Sequence, residues 1–117
     1  MSEATELNAE AVQAHIHDMQ KLYAEWQQLL PKFAAAQEDW QRGMVIMQQL
    51  AQFYFSDTFR LYTEAVEQGL AVDLRTQGEY SVMSEDAIWN ALAEQDSLAW
   101  QRLRSAMAVL DREAAQQ

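Results

Sequence analysis

Two histidines, a run of carboxylates and a crowd of aromatics are the residues of this sequence with the most obvious chemical potential. His15 and His17 flank Ile16 and precede Asp18. Helical metal ligands sit three or four residues apart, on one face. At a spacing of two they are turned about 200° from each other, so this pair makes no chelate and no metal is expected. Glu85 and Asp86 are adjacent carboxylates of the kind used for acid–base work or for holding a hard cation. They follow Ser84, however, and Ser-Glu-Asp is also how a helix begins: the hydroxyl accepts an orphan N–H and the acids complement the positive end of the dipole. Ser84, Glu85 and Asp86 are therefore read as a helix cap.

Nothing else in the chain supplies a reaction centre. Both histidines lie in the first 17 residues, away from any Ser with an Asp partner, and the three glycines are scattered rather than gathered in a phosphate loop. There is no Cys, which excludes disulfides and thiolate chemistry. The expectation is a protein with no catalytic residues and no cofactor, not an enzyme.

The aromatics, four each of Trp, Tyr and Phe, fall at helical spacing and read mainly as core. Phe53-Tyr54-Phe55 is different. Successive helical residues turn by about 100°, so three adjacent aromatics cannot share one core, and at least one must meet a connector, a following helix or a partner. With Phe59, Tyr62 and Trp89 they form the candidate interaction surface.

The elements that would carry these residues are helices. Only 3 Gly and 1 Pro occur in 117 residues, and good helix formers dominate. Val12, Ile16, Met19, Tyr23, Trp26, Leu30, Phe33, Trp40, Met44, Met47, Ala51 and Tyr54 recur at spacings of four and three, broken only by Gln37, which draws one apolar seam in the manner of a coiled coil. Pro31 falls inside it. A proline in a helix interior removes a backbone bond and clashes with the turn before it, at a cost of about 3 kcal/mol. Matching of helix lengths favours an end near Leu30 with Pro31 opening a second helix; the unbroken phase of the seam favours one long helix kinked at Pro31. The hairpin is preferred.

Ser56 offers a cap for a short helix that ends at Gly69, a natural left-handed terminator. Residues 70–83 form a connector, with a short extended piece at 79–83. The last helix opens at Ser84 and carries Ile88, Leu92, Ala99, Leu103, Ala106 and Leu110 on one stripe. The fold class is thus all-α: a single domain, 1–117, built as a helical bundle of three principal helices at about 8–30, 32–55 and 84–113, with a short helix at 57–68 and a connector.

Charge narrows the partners. The net charge is −10, and residues 57–96 hold nine acids against Arg60 and Arg75. Such a field repels phosphate backbones, so direct nucleic-acid binding is not expected. Met1 to Glu6 lacks a basic segment followed by an apolar run, and no stretch is long and apolar enough for a membrane helix. A soluble, cytoplasmic protein is expected.

From Tyr54 to Leu92 the sequence resembles a bacterial domain-of-unknown-function family of short helical proteins. The resemblance lies in Tyr54-Phe55-Ser56 with Phe59, in Glu67-Gln68-Gly69-Leu70, in Asp73-Leu74-Arg75 and in Met83-Ser84-Glu85-Asp86-Ala87-Ile88-Trp89. The stretch Thr76–Tyr80 is longer than the family's usual connector. The resemblance implies a helical fold and carries over no catalytic role. The function expected is that of a non-enzymatic protein-interaction or structural helical module, forming a homo-oligomer or meeting a protein partner. Two alternatives are an acidic decoy that occupies a basic, nucleic-acid-binding partner, and a small-molecule binder or enzyme with an aromatic pocket near Phe55, Phe59 and Trp89.

Overall fold

A computed structural model describes residues 7–75 and 81–115. Among them are three helices and no strand: α1, Ala9–Tyr54; α2, Asp57–Glu67; and α3, Ala87–Ala115. The chain is all-α. It divides into two compact units, Met1–Gly43 and Met44–Gln117.

In the first unit the described secondary structure is α1 alone. Asn8 caps it: its carboxamide oxygen accepts from the N–H groups of Glu10 at 2.7 Å and Ala11 at 3.3 Å, while its carbonyl takes the N–H of Val12. Two orphan donors are satisfied by one short side chain. The hairpin preferred from the sequence is not formed. Helix α1 runs without interruption through Pro31, so the separate helices at 8–30 and 32–55 are one element. The proline leaves the Gln27 carbonyl without its usual donor, and at an exposed position water can take that place. The loss is then smaller than in a dry core, and the seam keeps its phase across it.

The second unit starts within α1 and turns twice. Helix α1 ends at Tyr54, and Ser56, with φ −92° and ψ 160°, caps α2 two residues later. At its other end α2 closes in a Schellman arrangement. The Leu70 N–H reaches the Ala65 carbonyl and the Gly69 N–H the Val66 carbonyl, both at 3.0 Å, with Gly69 at φ +100°. A positive φ of this size strains any residue with a Cβ, which is why glycine stands there.

Residues 70–75 are irregular, and Asp73 organises them by accepting the Arg75 N–H at 2.9 Å. Of the extended piece expected at 79–83, Glu79 and Tyr80 lie outside the described residues and Ser81–Met83 form a turn. The Ser81 hydroxyl accepts from the Met83 N–H, and its carbonyl from the Ser84 N–H, both at 3.0 Å. That turn moves the start of the last helix. Ser84 had been expected to cap it with Glu85 and Asp86 in the first turn. Instead α3 opens at Ala87, and the Asp86 carbonyl takes the first helical bond, from Asn90 at 2.8 Å. Ser84 is engaged by Ser81, so the chain is still turning when it reaches the acids.

The centre of this unit is Ile88, 2% exposed and the buried hydrophobic residue of the described chain. Half-buried residues on all three helices of the unit accompany it, among them Met47, Leu50, Phe53, Phe59, Val66 and Leu92.

Candidate functional site

The aromatic cluster is assembled by the α1–α2 turn. Ser56 stands between the helices: its hydroxyl donates to the Phe53 carbonyl at 2.6 Å and accepts from the Phe59 N–H at 3.3 Å. Only Phe55 and Ser56 separate the two helices, so Phe53 and Tyr54 at the end of one meet Phe59 and Tyr62 at the start of the next. Phe53 meets Phe59 edge-on with centroids 5.3 Å apart and Tyr62 at 6.1 Å. Tyr54 meets Phe59 and Phe55, each at 5.1 Å. These separations and tilts are those at which aromatic pairs attract beyond simple burial.

Six residues were singled out for this surface, and the ring contacts join five of them. Phe53, Tyr54 and Phe59 are half-buried, so they are structural first. Phe55 is 69% exposed: it is the member of the aromatic triplet that the turn leaves facing outward. Tyr62 is 54% exposed at the rim. Trp89 is 59% exposed although its neighbour Ile88 is buried, because one helical step carries it about 100° away.

Phe55 and Trp89 are thus exposed, and Phe59 is half-buried. A cleft of the second unit is built from other residues. It has a volume of about 320 Å³ and is lined by Thr63, Val66 and Glu67 of α2, by Leu74 and Arg75, and by Ser81, Met83 and Ser84. Its walls offer hydroxyls, one acid and one base without a nucleophile–base pair. None of the aromatic residues expected to line a ligand pocket lines this cleft.

Of the other sequence candidates, Ser84 is half-buried and the rest are exposed. His15 and His17 lie on α1, and Glu85 and Asp86 in the turn before α3. Among the described residues no three or more His, Asp or Glu side chains are placed to hold a metal ion. The ion pair Arg60–Glu64, 3.2 Å, spans one turn of α2 with both side chains more than half exposed, a geometry that contributes little.

The larger apolar surfaces are on the long helices. Ile16, Met19, Tyr23, Trp26, Leu30 and Phe33 of the first unit are each between 48% and 55% exposed. The Trp26 and Phe33 rings, two turns apart, lean together to 5.8 Å, which places them on one face. In the second unit α3 exposes Leu98, Trp100, Leu103, Met107, Val109 and Leu110. Monomeric proteins scatter such residues singly; a contiguous stripe such as that of α1, or of Trp100, Leu103, Met107 and Leu110 on α3, marks a contact surface, while Leu98 and Val109 lie on the opposite side of α3. Sequence reading found these stripes by their period. It missed Asn8, Asp73 and Ser81, whose signal was a short polar side chain at a turn.

These features define an all-α protein whose exposed chemistry is apolar faces and solvated acids. A family model for a domain of unknown function, DUF4298, matches residues 16–105, and the chain belongs to that family. No curated protein and no solved structure matches it. Among the described residues, no helix is long and apolar enough to cross a membrane.

Proposed function

We propose that the protein is a non-enzymatic interaction or structural module that acts in the cytoplasm through its apolar helix faces, binding protein rather than transforming a substrate. One observation carries this reading: the Val12–Phe33 ridge is exposed along the whole of its length on a helix that, among the described residues, has no second element in its own unit. An isolated amphipathic helix gains most of its stability from covering its apolar face. A ridge of Trp, Tyr, Phe, Leu and Ile kept open to water costs solubility unless something covers it. The outward Phe55 and Trp89 offer a second, smaller patch of the residue types that anchor interfaces.

Affinity capture of the full chain from its native host tests the reading. A wild-type chain that captures protein, itself included, and a Trp26→Glu, Phe33→Glu variant that does not, support it. Neither self-association nor capture at any concentration overturns it. Capture that the double variant leaves intact but moderate salt abolishes would instead favour the acidic decoy reading, since exposed charge pairs are screened within about 10 Å at 0.1 M.

A further inference from the structure

The exposed ridge has a regularity that says what fits it. With Ile16, Tyr23 and Leu30 as the first and Val12, Met19, Trp26 and Phe33 as the fourth positions of successive heptads, the residues flanking the seam include no Lys, Arg, Asp or Glu. One flank is Gln13, Gln20 and Gln27; the other is His15, Leu22 and Leu29. The charged residues of the segment, Glu10, Asp18, Lys21, Glu25 and Lys32, occupy the remaining outer positions. A chain of net charge −10 would resist meeting itself through most surfaces, because like charges brought together cost several kcal/mol. This face carries none of that charge.

Its size fits as well. The seven ridge side chains with Leu22 and Leu29 are between 36% and 58% exposed, on the order of 800 Å² together, which is what each partner contributes to a standard interface. The order of sizes then selects a direction. A parallel pair in register would stack Tyr23 on Tyr23 and Trp26 on Trp26, and the ridge lacks the β-branched-then-Leu pattern that parallel dimers prefer. Reversing one helix about residue 21 sets Trp26 against Ile16, Tyr23 against Met19, Leu30 against Val12 and Phe33 against Ala9 of the other copy. The bulkiest rings, Trp26 and Phe33, each meet a smaller side chain, as close packing requires, and the two helix dipoles oppose.

We infer that the occupant of the Ala9–Phe33 face is a second copy of this chain, paired antiparallel about residue 21. This rests on the interaction reading above and names its partner. The chain has no Cys, so single thiols introduced at the exposed glutamines report cleanly. Gln20→Cys and Gln13→Cys chains, each spin-labelled, are measured by pulsed electron paramagnetic resonance, with light scattering on the unlabelled wild type for mass. The antiparallel pair gives a two-chain mass, labels at residue 20 nearly level along the axis, and labels at residue 13 offset by roughly 24 Å at 1.5 Å per residue. Trp26→Glu returns the mass to one chain with its α-helical circular dichroism retained. Equal short distances at both positions mean a parallel pair, and a mass of three or four chains means a larger bundle; either overturns this inference and leaves the interaction reading standing. A one-chain mass up to high concentration also overturns it, and the host capture then decides separately whether a foreign protein takes the face.

Discussion

The Ser56 hydroxyl donates to the Phe53 carbonyl at 2.6 Å while accepting the N–H of Phe59. One oxygen thus closes α1 and opens α2, and the aromatic contacts of Phe53 with Phe59 and Tyr62 depend on that closure. Ser56→Ala removes both bonds and should destabilise the second unit by about 0.5–2 kcal/mol, the usual range for a lost N-cap. Ser56→Asp keeps an acceptor for Phe59 and loses the donor to Phe53, so it should fall between wild type and Ala. Denaturant titration followed by aromatic fluorescence reads the order. Equal stability of the Asp and Ala variants would show that the cap bond contributes nothing.

The two described glycines should respond to alanine with opposite signs. A Cβ added at either meets no atom within 4 Å, so backbone conformation decides. Gly69 is at φ +100° in the α2 terminator, and Gly69→Ala should cost about 1–2 kcal/mol through left-handed strain. Gly43 lies inside α1, where Gly43→Ala should stabilise by about 0.5–1 kcal/mol by restricting the unfolded chain. Thermal melts of the two single variants give the signs directly. A Gly69→Ala chain as stable as wild type would mean that the terminator relaxes.

Ser56 and Gly69 were readable in advance because each is a local device: a hydroxyl before a helix and a glycine after one act on their own few residues. Pro31 and Ser84 were misread for the complementary reason. Pro31 is a strong local stop signal, yet the ridge from Val12 to Tyr54 keeps one phase across it, and a helix exposed to water tolerates a missing bond. Ser84-Glu85-Asp86 is a good start signal that the preceding turn at Ser81 pre-empts. In both cases the outcome turned on a neighbouring segment. The aromatic triplet fell between these extremes: the 100° step required one ring to leave the core, but only the geometry of the turn made it Phe55.

Pro31→Ala therefore becomes a measurement of what α1 tolerates. It restores one N–H and relieves the clash with the turn before it, so helical content should rise and stability should increase by up to about 3 kcal/mol, the interior penalty of proline. Circular dichroism at 222 nm with a thermal melt reads both. Lower helicity or lower stability would mean that α1 needs its break at Pro31.

Ile88 and Trp89 are adjacent and should behave as if they belonged to different proteins. Ile88 is 2% exposed, and Ile88→Ala leaves a cavity at the centre of the second unit, for an expected loss of about 2–5 kcal/mol. Trp89 is 59% exposed, and Trp89→Ala removes mostly solvated surface, so unfolding should shift by no more than about 0.5 kcal/mol. If Trp89 serves a partner, its loss appears in binding instead, with the dissociation rate rather than folding as the quantity that changes. Parallel denaturation and capture assays on the two variants separate the roles. A Trp89→Ala chain as unstable as Ile88→Ala would place that ring in the core and remove it from the contact surface.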